Sequence, residues 1–190
     1  YRAKGWDFLN IYVGDRKETT IDGWTYVYST GDKKAILSKA TNVGKDVTIN
    51  GSLKIDNEDY TILAISEAVF KGKTNIENLT ISENVEDIGA NAFQGCQNIE
   101  KVELPSTLKA IGDNAFDQCS KLTIITTKSK TPAVLGKDVF VQSIYSTATV
   151  YVPNDAEIEA KYKAADGWKG FTSWAHGEKK TGTVGSMTYD

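Results

Sequence analysis

Apolar positions return along the middle of this chain at a nearly constant step. Phe70, Phe93 and Phe116 are 23 residues apart, and Phe140 follows 24 later. The same phase aligns Ile76 with Ile99 and Leu122, Leu79 with Val102 and Ile125, and Ile88 with Ile111. A self-similar period in the twenties predicts a solenoid, in which each repeat is one coil that buries its faces only against its neighbours. Within a coil, the Leu-x-x-Leu-x-Leu spacing predicts a short strand with its apolar residues inward. Pro105 ends that strand because it has no N–H to donate. Leu108 and Ile111 predict a return wall, and the Asn-Ala-Phe turn after it sends the Phe into the core.

The flanks carry other patterns. Ile21, Trp24, Tyr26 and Tyr28, a Ser29–Asp32 turn cluster and Ala35–Leu37 predict a β-hairpin over residues 20–42. Val47-Thr48-Ile49 predicts a diverged first coil, followed by a polar excursion from Asn50 to Tyr60. Ile62–Ile65 then falls in phase with Ile88 and Ile111. The solenoid is predicted to span 43–153, about five coils, and to end on the strand Thr149–Val152. Asn154-Asp155 then reads as an N-cap for a helix to about Ala165, with Ile158, Tyr162 and Ala165 on one face. Gly167 ends it, and with Trp168 and Phe171 it forms a C-terminal cap over 154–176, which an open stack needs. The expected fold class is therefore mainly β, a solenoid with one flanking hairpin and one capping helix.

The two ends repeat one another. Gly5-Trp6-Asp7-Phe8 matches Gly167-Trp168-Lys169-Gly170-Phe171. Farther along, Thr20, Thr25 and Tyr26 fall on Thr183, Thr188 and Tyr189 at a constant offset of 163. Residues 1–19 are expected to be the end of a preceding unit or a joining segment, and 177–190 a tail or the start of a next unit. The absence of an initiator Met and of a signal peptide is read as a mature or excised form.

Composition narrows the function. The 190 residues carry a net charge of −3 with pI about 5.3, so no electrostatic footprint for nucleic acid is present. No apolar run approaches the ~20 residues needed to span a bilayer, and no membrane insertion of this chain is expected. Cys96 and Cys119 stand at one phase of consecutive coils. Their Cα atoms come within reach of a disulfide, but in-register side chains point the same way, so stacked buried thiols are favoured. Two Cys and His176 are too few for a metal centre. Without a nucleophile–base pair or a phosphate loop, no enzyme and no cofactor is expected. Asp56–Asp59 lacks calcium-loop spacing and reads as a solvated turn.

The coil from Phe93 to Phe116, Phe-x-Gly-Cys-x-x-Ile-x-x-Val-x-Leu-Pro-x-x-Leu-x-x-Ile-Gly-x-x-Ala-Phe, resembles the BspA-type (Treponema-type) leucine-rich repeat of bacterial surface proteins. The resemblance extends to Tyr151-Val152-Pro153 and Tyr162–Phe171, and covers about residues 43–175. It departs from the pattern at Lys73, where a Cys would stand, and at Thr127, where an apolar residue would. It implies an extracellular or cell-surface protein that adheres to a protein partner on a host or bacterial surface. Any contact must use variable positions. On the concave strand face these include Asn78, Thr80, Lys101, Glu103, Thr126, Lys128, Thr149 and Tyr151. The alternative partner is a glycan stacked on the hairpin aromatics Trp24, Tyr26 and Tyr28. A further alternative is a structural spacer.

Overall fold

The computed structural model describes residues 15–177. The joining segment expected over most of 1–19 and the tail expected over 177–190 lie largely outside them. These described residues form fourteen strands in two sheets. One is an all-parallel sheet built from one strand per coil. In order of pairing it runs β14 (Ser173–His176), β13 (Thr149–Val152), β11 (Ile124–Thr127), β9 (Lys101–Leu104), β7 (Asn78–Ile81), β4 (Asp46–Ile49). Its register has no slips: Val47 pairs with Leu79, Leu79 with Val102, Val102 with Ile125, Ile125 with Val150, and Val150 with Trp174. Each of these side chains points into the core, so each coil lays the same apolar row on the last.

The opposite wall begins as an antiparallel meander of β1 (Arg16–Ile21), β2 (Trp24–Ser29) and β3 (Lys34–Ala40). It continues in parallel through β6 (Glu58–Ile65) and the two-residue strands β8 (Asp87–Ile88), β10 (Ala110–Ile111) and β12 (Val134–Leu135). The expected hairpin is thus a three-stranded meander, its first strand starting at Arg16. The alternation that gives β2 away is weak in Arg16–Ile21, whose first three residues are exposed. The polar excursion from Asn50 to Tyr60 is itself a hairpin. In it β5 (Ser52–Ile55) pairs antiparallel with β6 across Asp56 and Asn57, both left-handed at φ 50° and 65°. That geometry is the tight two-residue turn that Asn and Asp tolerate.

The phenylalanine column fills the turn side. Phe70, Phe93, Phe116 and Phe140 stack with ring centroids 5.0, 5.1 and 5.7 Å apart and planes within 6°, 6° and 11°. That spacing follows the strand repeat of roughly 4.7–4.9 Å. The column is closed edge-on at both ends: by Trp24 against Phe70 at 5.5 Å and by Phe171 against Phe140 at 5.4 Å. Each turn hands its amides to the next coil, as in Phe93 N–H to Ala115 O (2.8 Å) and Gly95 N–H to Asp117 O (2.9 Å). The turn needs two left-handed residues. Ala68, Asn91, Asn114 and Asp138 fill the first position, and Gly72, Gly95 and Gln118 the second. Asn and Gly adopt this conformation at low cost, and Ala68 and Gln118 do not.

The cysteines sit below the turn as buried free thiols. Cys96 donates to Phe70 O at 3.0 Å and Cys119 to Phe93 O at 3.3 Å. Burial pushes the Cys96 thiol up to about 11 and Cys119 higher still, so both stay protonated and unreactive.

The cap is more elaborate than one helix. A short helix, α1 (Ile144–Thr147), precedes β13, and α2 (Ala156–Ala164) follows it. Asp155 caps α2 through its side chain, accepting from the Glu157 and Ile158 amides. Tyr162 of α2 reaches into the core and its hydroxyl meets Thr127 Oγ at 2.9 Å and donates to Ser129 O at 3.2 Å. This explains Thr127 at an apolar repeat position: the cap supplies its hydroxyl partner. Trp168, in a 3₁₀ turn after Gly167, donates Nε1–H to Ala133 O at 2.8 Å.

Candidate functional site

The face of the parallel sheet turned away from the core carries the variable side chains in three rows. The first row runs Asp46, Asn78, Lys101, Ile124, Thr149, Ser173. The second runs Thr48, Thr80, Glu103, Thr126, Tyr151, Ala175. The third lies past the strand ends, with Asn50, Ser82, Lys128 and Pro153. The structure thus brings all eight sequence-expected contact residues onto one surface, with Asn78 beside Lys101, Thr80 beside Glu103, and Thr126 between Glu103 and Tyr151.

The two halves of this face differ. The N-terminal half is polar and cross-linked: the Asn78 amide donates to Asp46 at 2.6 Å. The C-terminal half is short-chained and partly apolar. Ile124 and Tyr151 are half-buried, with Ala175 beside Tyr151, and Thr149 and Ser173 share a hydrogen bond at 2.9 Å. Thr126 is buried rather than presented to solvent, only 6% exposed, so its part is to floor the surface beside Tyr151.

The rim where the strands end holds two concavities. One, of about 230 Å³, is lined by Thr126, Thr127, Lys128, Val152, Pro153 and Gly177. The other, of about 480 Å³, is lined by Asn50, Gly51, Ser52, Ser82, Glu83 and Asn84. In the lining of the second, the Glu83 carboxylate accepts from the Ser106 hydroxyl at 2.6 Å and the Ser106 amide at 3.1 Å. Burial alone pushes the Glu83 carboxyl up, but these bonds and the Lys128 charge together hold it below its usual range.

The sequence reasoning missed the sixth strand, β14, and with it Ser173 and Ala175. The signal was present: Ser173 lies 24 residues after Thr149, the step that also separates Phe116 from Phe140. It also missed the Glu83–Ser106 contact, which only the register of neighbouring coils creates.

The hairpin aromatics are placed otherwise. Trp24 is half-buried, edge-on to Phe70, with its indole N–H on Asn42 O. Tyr28 is buried and edge-on to Tyr60 at 5.0 Å, and Tyr26 is half-buried against the core. They are not a row of open rings. Among the described residues no group of three or more His, Cys, Asp or Glu side chains is placed to hold a metal ion, and no helix is long and apolar enough to cross a membrane.

Comparison with known proteins rests on the same ladder. A model of the BspA-type leucine-rich repeat region matches residues 48–162 in six copies. No curated protein sequence matches. Among solved structures, a leucine-rich repeat protein of T. pallidum is 27% identical with a TM-score of 0.60, over 73% of this chain and 62% of that one. A leucine-rich repeat protein of Bacteroides capillosus is 21% identical with a TM-score of 0.56, over 85% of this chain and 99% of that one. A leucine-rich cell surface protein of Faecalibacterium prausnitzii is 18% identical with a TM-score of 0.52, over 73% of this chain and 46% of that one. The chain therefore spans less than two thirds of the Treponema protein's length and less than half of the Faecalibacterium protein's. With its stacked coils, Phe column and slip-free parallel register, and with the repeat model covering more than half its length, the chain belongs to the BspA-type leucine-rich repeat family.

Proposed function

We propose that this chain is an extracellular, cell-surface protein-interaction module that adheres to a protein partner through the outer face of its parallel sheet, centred on Tyr151. Repeats of this family in general mediate protein interaction or adhesion and are non-catalytic scaffolds. The observation that carries the reading is the contrast within the outer rows. An aromatic ring flanked by Thr126 and Ala175, beside a 230 Å³ concavity, is the arrangement in which a partner side chain can be buried around an aromatic anchor. Lys101 and Glu103 toward the centre of the sheet are rim charges that orient an encounter more than they strengthen it. The surface location rests on the Faecalibacterium relative, which is described as a cell surface protein.

The test is a pulldown from host and bacterial surface fractions with the wild-type chain, followed by affinity measurements on the captured protein. Tyr151→Ala is expected to weaken binding by 2 kcal/mol or more, roughly thirtyfold, as at other aromatic hot spots. Lys101→Glu is expected mainly to slow association and alter its salt dependence. Unchanged binding in the double variant would remove this face from the interaction.

A further inference from the structure

The opposite sheet has an outer face of its own, and it contains a buried carboxylate that accepts no hydrogen bond among the described residues. Register places Val27, Ile36, Ala64, Asp87, Ala110 and Val134 in one row across that sheet. Val27, Ile36 and Ala64 pack together as a small apolar cluster separate from the main core. Ile88, the next residue of β8, points into that core and is fully buried, so Asp87 points out. Asp87 is nonetheless only 3% exposed. Among the described residues no donor bonds its carboxylate, yet neither oxygen is sealed from solvent. The nearby cation, Lys109, is engaged by Glu86 at 2.6 Å. Val134, at the far end of the row, is 69% exposed and is the one large apolar side chain that is open among the described residues.

We propose that this outer face is a second binding surface, in which the Asp87 carboxylate receives a lysine or arginine side chain of a partner protein. Three features select that chemistry. The carboxylate lies in the row between two small residues, Ala64 and Ala110, so no long side chain stands beside it on either neighbouring strand. The Glu86 carboxylate beside it holds Lys109, which leaves the Asp87 carboxylate to a cation from outside the chain. The apolar row ending in Val134 suits the alkyl stem of a long cationic side chain, which buries its methylenes and delivers its charge at the tip. A buried unpaired carboxylate is costly to keep and gains most from a charged donor. Burial, with the Glu86 charge, holds the Asp87 carboxyl at about 6, against a partial opposing pull from Lys109. The groups facing it are therefore Glu86 just before its strand, Lys109 just before β10, and on β6 Ala64 between Leu63 and Ile65. This surface is independent of the Tyr151 face and survives if that reading fails.

The probe is N-acetyl-arginine amide, with N-acetyl-citrulline amide as its neutral counterpart, titrated into the 190-residue chain and followed by NMR. The expected result is a saturable shift at Asp87, Ala64 and Ala110 below ~50 mM with the arginine probe and none with citrulline. Affinity is expected to fall about tenfold one pH unit below the Asp87 midpoint. Asp87→Asn, nearly isosteric, is expected to keep the amide spectrum of the fold and lose the response. Glu86→Gln is expected to weaken it only about twofold to threefold. No saturable shift at these residues, an equal response to citrulline, or a response that survives Asp87→Asn would overturn the proposal.

Discussion

The middle coils and the closing elements solve the same packing problem in opposite ways. Between Phe70 and Phe116 each contact recurs one coil later, with ring separations of 5.0 and 5.1 Å. At the C-terminal end nothing recurs. Tyr162, Trp168, Phe171 and Trp174 meet at assorted tilts, and their polar tips are satisfied one by one on Thr127, Ala133 and Phe171. Repetition stabilises the middle because every coil is floor to one neighbour and roof to the other. An end lacks one neighbour, so it needs large side chains with individually placed hydrogen bonds. The difference teaches that losses in the middle propagate to both sides, whereas losses in the cap stay local.

Five substitutions break or sharpen that contrast. The largest effect is expected from Phe93→Ala, which removes a fully buried ring between two others and should cost about 3–5 kcal/mol in urea denaturation. A loss below about 1 kcal/mol would mean that the column does not couple the coils.

Next comes Asp87→Asn, read against pH. The folded chain holds the Asp87 proton more tightly than the unfolded chain does, with a midpoint of about 6 against 3.8. Its contribution is therefore fully present below 3.8 and is lost as pH rises through about 6. The wild type is expected to lose about 3 kcal/mol relative to Asp87→Asn across that window. Parallel pH–stability curves for the two proteins would disprove the burial of this charge.

Trp168→Phe should cost about 1–3 kcal/mol by orphaning the Ala133 carbonyl. Its signature is spatial: hydrogen exchange should accelerate in β14 and α2 and stay unchanged in β7 and β9. Uniform acceleration would erase the distinction between middle and end.

The smallest effect is a gain. Gln118 holds φ 61° where the two preceding coils have glycine, so Gln118→Gly should stabilise by about 0.5–1 kcal/mol. The reverse change, Gly95→Gln, should destabilise by a similar amount.

The middle was legible from sequence because its residues answer to one another at a fixed step. Once Phe93 is aligned with Phe116, strand, turn and return wall follow for every coil. What stayed hidden has specific causes. β1 escaped notice because Arg16, Lys17 and Glu18 are exposed and show no alternation. The Asn50–Tyr60 hairpin was masked by its polar turn. Helix α1 has only four residues, one of them buried, too few for a periodic signal. Which residues of each strand share the outer face follows from strand alternation. Their character was not legible, because the burial of Thr126 and the isolation of Asp87 depend on side chains 23 or more residues away.

The ladder also has a mechanical meaning. Backbone hydrogen bonds between coils run along the long axis of the stack, from β4 toward β14. Tension applied between the two ends therefore pulls on these bonds one coil at a time instead of shearing a whole sheet at once. Each released coil of 23 residues pays out about 80 Å of chain. Under flow or tugging such a molecule lengthens in small, separate yields from its ends, and its central coils keep their shape until last.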